Sequence, residues 1–353
     1  MTLPRFLLVV LTVLAATAPL AAQDTDDGLA ALRTKTTLTD DDRATIQTWV
    51  RQRSTAIIGN DEASAAVAFA QLRDGYSGNR EFLDAYVTAG INAVRGAIAS
   101  ADLIAAARLV VLLNHFNDVR TLDVLVSALG DNRAAVRAAA ATGLATLQPK
   151  LTGNPDAFRQ AIEALRAAGR REQSAKTLES ICRALDYSSV QSAADRKAAA
   201  LALLAILQER AQQATTGRLS AYGADYVGVQ AVNRLLAALE PAQRNDYAAA
   251  VARFLHHAVR RYAGGEDQLC KVDDQTGSAD SIALRNVTEL LIRECEQQLV
   301  ALLKPADAPQ VTESMQRAEC TNVVIEMNRW AEVLKGAIGL QLPNVESPPE
   351  QGD

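Results

Sequence analysis

Aromatic residues make up only 4% of this 353-residue chain, and it holds just three histidines, three methionines and four cysteines. Each scarcity excludes something. A sheet-based fold draws on aromatic and β-branched residues alternating with polar ones, and no such alternation runs here. Three histidines, His115, His256 and His257, leave thin means for metal binding or proton transfer. There is no CxxC pair for thiol redox chemistry and no CxxCH for covalent haem. GxSxG, HExxH and P-loop patterns are missing too, so no catalytic set is visible and none is assigned. Basic residues are in deficit, 36 against 41 acidic, for a net charge of −5. A general nucleic-acid binder would carry the opposite surplus. Beyond the first residues no apolar run approaches the ~20 residues that a membrane-spanning helix needs.

What is present points to helices and to export. Residues 1–22 combine Arg5, the apolar run Phe6–Leu14 and a small-residue end at Ala21-Ala22. That is the layout of a secretory signal peptide, with cleavage expected after Ala22. The expected destination is the periplasm or the cell exterior, with no membrane span after cleavage. Roughly a fifth of the residues are alanine, the best helix former. Residues 23–39 read as a flexible segment and 40–190 as helical repeats. Residues 191–340 read as a longer-helix region continuing the array, and 341–353 as a disordered, Pro-rich acidic tail. The last two long helices, about 281–303 and 311–338, are expected to form a hairpin.

One stretch carries a resemblance. Residues 122–151 place Leu125 and Leu129 on one helix, Asp131 in a Gly-Asp-Asn turn, and Val136, Arg137, Ala140, Leu144 and Leu147 on a second helix. This pair resembles one repeat of the HEAT (armadillo-like) family. The resemblance covers under a tenth of the chain. It implies an all-α superhelix, or solenoid, of helical hairpins. It also implies that Asp131 and Arg137 tie the turn and neighbouring repeats together. It implies no activity.

The four cysteines are Cys182, Cys270, Cys295 and Cys320. Cys295 and Cys320 lie 12 and 13 residues either side of the hinge near Asp307, about 18–20 Å along each helix at 1.5 Å per residue. They are therefore expected to face each other and to be bonded, with packed reduced thiols as the alternative. Cys182 with Cys270 is the leftover pair.

Candidate binding residues are few. His256 and His257 stand at i,i+4 from Arg260 and Arg261 near a helix C-terminus, where positive charge offsets the helix dipole. Their functional reading is an anion-binding patch, joined by Tyr222 and Tyr226. Residues 273–280 are oxygen-rich like a calcium loop, but lack its alternating acids and terminal Glu, and read as a helix-capping loop. No cofactor and no metal are expected. The favoured function is an exported, non-enzymatic repeat protein that binds a protein or peptide partner in the cell envelope. One alternative is an enzyme whose site is assembled around the 215–230 and 266–280 loops. The other is a self-assembling structural envelope protein.

Overall fold

The computed structural model describes residues 27–59, 61–217, 224–264 and 268–346. The expected leader and Tyr222 lie outside the described residues. Among the described residues the chain is 77% helical, with 14 helices and no strand. They are α1 (Asp40–Ile58), α2 (Glu62–Asp74), α3 (Arg80–Ala97), α4 (Leu103–Phe116), α5 (Leu122–Ala128), α6 (Ala134–Leu151), α7 (Pro155–Arg171) and α8 (Ala175–Ala184). There follow α9 (Ala193–Thr215), α10 (Asp225–Arg234), α11 (Pro241–Ala263), α12 (Ala279–Leu303), α13 (Val311–Gln316) and α14 (Cys320–Ile338).

Local chemistry sets where these helices start. Thr39 and Asp42 close a capping box on α1, with Asp42 N donating to Thr39 Oγ1 at 3.2 Å and Thr39 N to Asp42 Oδ2 at 2.9 Å. Asp61, Asn79, Asp102, Asn154, Ser174, Ser192 and Ser278 each accept from a backbone N–H in the first turn of the next helix. Pro155 and Pro241 open α7 and α11, where the missing N–H costs nothing.

The packing is an all-α array stacked every second helix. In one row α2, α4, α6, α8, α10 and α12 each pack on the next; in the other α5, α7, α9 and α11 do the same. Each layer thus leans mainly on neighbours close in sequence, as in a quasi-one-dimensional solenoid. Small residues let the layers approach. A side chain at Gly143 in α6 would run into Asn114 of α4, whose Nδ2 donates to the Ala139 carbonyl at 2.9 Å.

Polar ties run across the stack. Asp131 clasps Arg133, whose guanidinium also donates to the carbonyls of Ile98 and Ala101 at the end of α3. Arg137 donates to the carbonyls of Asp131 and Asn132 and forms a two-point pair with Glu172 beyond α7, both bonds at 2.7 Å. The same device recurs: Arg196 of α9 reaches back to the carbonyls of Val190 and Gln191, and Arg244 of α11 to that of Leu239. In all three helices the arginine stands four residues after the N-cap. Deeper in, Arg210 of α9 and Asp225 of α10 form a two-point pair at 2.5 and 3.0 Å, both side chains essentially solvent-free.

Four sequence expectations need correction. The expected helix over 311–338 is broken at 317–319, where Ala318 adopts φ 55°, so α13 and α14 are separate. This break moves Cys320 from mid-helix to the first residue of α14. Cys320 is consequently bonded to Cys270 in the 269–271 turn (Cα–Cα 6.0 Å), not to Cys295. Cys295 and Cys182 are free thiols in the core, and burial pushes the Cys182 thiol up to about 12. The expected terminal hairpin is absent for the same reason: α12 and α14 both pack on α11. Trp330 Nε1 links them by donating to Glu296, which also caps the N-terminus of α13. Finally, residues 341–346 of the tail expected to be disordered pack on the helices, with Val345 buried.

Candidate site on helix α11 and the C-terminal strap

Helix α11 is 23 residues long; its first six residues face solvent, and from Tyr247 onward it is largely buried. Towards its C-terminus His256 turns inward, His257 and Arg261 are half-buried and Arg260 is exposed. Arg253, one turn earlier, shares the face of His257; the i−4 spacing was its signal in the sequence. Tyr226 sits on α10, whose main neighbours are α8, α9 and α12, so the structure does not gather it with the α11 cations.

His256 is not part of an open anion patch. Its Nε2 lies 2.8 Å from the Pro343 carbonyl oxygen. A carbonyl only accepts, so the ring proton resides on Nε2. Burial pushes the His256 pKa down; the Pro343 bond opposes this and nearby Arg260 adds to it. The imidazole is thus held neutral and committed to the backbone of the chain's own C-terminal segment.

That segment is an extended strap over residues 340–346. It leaves α14 through Gly339 in the left-handed region (φ 70°), a turn that favours glycine. It then runs back along the groove between α11 and α14. Asn328 of α14 holds it at two points: Asn328 Nδ2 donates to the Val345 carbonyl (3.2 Å) and Val345 N donates to Asn328 Oδ1 (2.9 Å). The Val345 side chain is 4% exposed, and Leu340 and Leu342 pack partly on the core. Gly264, at the end of α11, leaves the space; an added Cβ there would meet the Glu346 carbonyl and Val345 Cγ1 at 3.1 and 3.2 Å. Sequence reading missed Asn328 and Val345. The available signal was the apolar trio Leu340, Leu342 and Val345 in a segment read as Pro-rich and acidic.

Other polar groups are already engaged. Asp273 Oδ1 accepts from the Gln275 and Thr276 backbones, and Asp274 pairs with Arg285, so this loop caps and braces α12. One depression, about 710 Å³ and open to solvent, is bordered by Arg293, Gln297, Gln310 and Glu313, with Glu296 spent on capping α13. His115 is exposed and rests edge-on against Tyr76. Among the described residues no three His, Cys, Asp or Glu side chains cluster as a metal centre would require. No described helix is long and apolar enough to cross a membrane.

These features define an all-α stacked-helix protein whose residues 340–346 lie against α11 and α14. No protein-family model, curated protein or solved structure matches the chain.

Proposed function

We propose that this chain is an exported, non-enzymatic helical-repeat protein that binds a protein or peptide partner in the cell envelope. The observation that carries the reading is the two-row stack, which builds long continuous faces from helices braced mainly by their neighbours. The HEAT-like character of 122–151 belongs to this reading, as does cleavage of residues 1–22. Export also accords with the Cys270–Cys320 bond, since such bonds persist in oxidising compartments. The test is crosslinking of tagged protein in its own envelope, followed by mass spectrometry, with light scattering of the purified chain across a concentration series. Reproducible capture of a defined partner by a monomeric chain is the expected result. A mass that rises with concentration while no partner is captured would replace this reading with self-assembly.

A further inference from the structure

We propose that the groove between α11 and α14 is a binding site for an extended peptide segment of a partner protein, with residues 340–346 as its internal occupant. The proposal rests on the reading of the chain as a binding protein and names its site. Asn328 grips both the N–H and the carbonyl of one residue. That pair of bonds recognises extended main chain whatever the side chain, as an added strand would. His256 takes a second carbonyl, at Pro343, two residues upstream of Val345. Selectivity comes from one buried apolar position, filled by Val345, and from the room left by Gly264. The groove does not depend on the strap for its existence, because α11 and α14 pack directly on each other. Among the described residues, the backbone of 341–346 makes no bond to other main chain, only to these side chains. The strap can therefore leave by rotation at Gly339 without melting a helix. The partner segment is extended and apolar, with a β-branched residue at the Val345 position and a carbonyl two residues before it.

The test uses the full chain with Val345→Asp, which places a carboxylate in the apolar position and expels the strap. A fluorescein-labelled peptide with the sequence of residues 339–346 is titrated against it and against the wild type. Saturable binding is expected, at least about tenfold tighter to Val345→Asp, because the tethered strap competes at a high effective concentration. Adding Asn328→Ala should abolish most of it. No saturable binding to a folded Val345→Asp chain, or equal binding to both proteins, would overturn the proposal. Should that variant not fold, amide exchange of the wild type decides. Val345 exchanging much faster than α14 amides supports an opening strap; exchange at the rate of the α14 core overturns it. Failure here with a partner still captured removes the groove alone. Peptide binding without any captured partner leaves the groove and removes the scaffold reading.

Discussion

Removing the carboxylate of Asp225 should be among the most damaging single changes in the chain. Arg210 and Asp225 are 1% and 0% exposed at the side chain, and they meet through two parallel bonds. Arg210 also reaches the Glu172 carbonyl at 3.4 Å, so the pair joins α9 and α10 to the turn before α8. Burial pushes the Asp225 carboxyl up, and the guanidinium pulls it back. With Asp225→Ala the guanidinium stays in the core without its carboxylate. Breaking such a pair from one side costs about 3–5 kcal/mol. In a chain of this size that is a fall in midpoint of roughly 5–8 °C. Urea unfolding followed by far-UV circular dichroism reads the loss. The double variant Arg210→Met/Asp225→Ala should recover much of it, because the cost comes from the stranded charge. A single variant losing under about 1 kcal/mol, or a double variant worse than the sum of the singles, would refute the reasoning.

Reduction of the Cys270–Cys320 bond, or Cys270→Ser, should cost about 4 kcal/mol for a loop of this separation, read as a lower urea midpoint. Peptide mapping without reductant should return 270 linked to 320, with Cys182 and Cys295 alkylated only after unfolding. Glu172 has its pKa lowered: burial raises it, but the Arg137 pair and the backbone bonds at Gln173 and Ser174 outweigh that. Its folded value lies below the unfolded 4.5, so the stability it contributes is complete above 4.5 and lost as pH falls through the folded value. Glu172→Gln should be less stable than wild type at pH 7, with the gap closing in acid; a gap constant across pH would contradict this. Gly143→Ala should cost about 1–3 kcal/mol by driving into Asn114, and Asn114→Ala in the same chain should restore most of it.

Much of the helical layout was legible because its signals are local. Cap residues such as Thr39, Asp102 and Asn154, the breaks at Gly59, Gly75 and Pro241, and the apolar spacing of each stripe act within one or two turns. Asp131 and Arg137 stood out for the same reason, although the partner Glu172 lies 35 residues beyond Arg137. The cysteine pairing was misread because it hung on one uninterrupted helix. The left-handed turn at Ala318 resets the register of Cys320, and nothing in the residues around it announces a break. The candidate site was half legible. The cluster of His256, His257, Arg260 and Arg261 was visible, but the direction in which His256 points was not. That direction depends on a strap 87 residues downstream.

Helix content, helix starts and the absence of a membrane-long apolar run among the described helices are thus properties of the sequence itself, since propensity, capping and periodicity act over a few neighbouring residues. Which helix lies on which, the partner of Cys320, the burial of Arg210 with Asp225 and the docking of residues 340–346 on α11 were decided only by the tertiary structure. Those choices join residues far apart in the chain. Their energies exist only when the layers have met and excluded water.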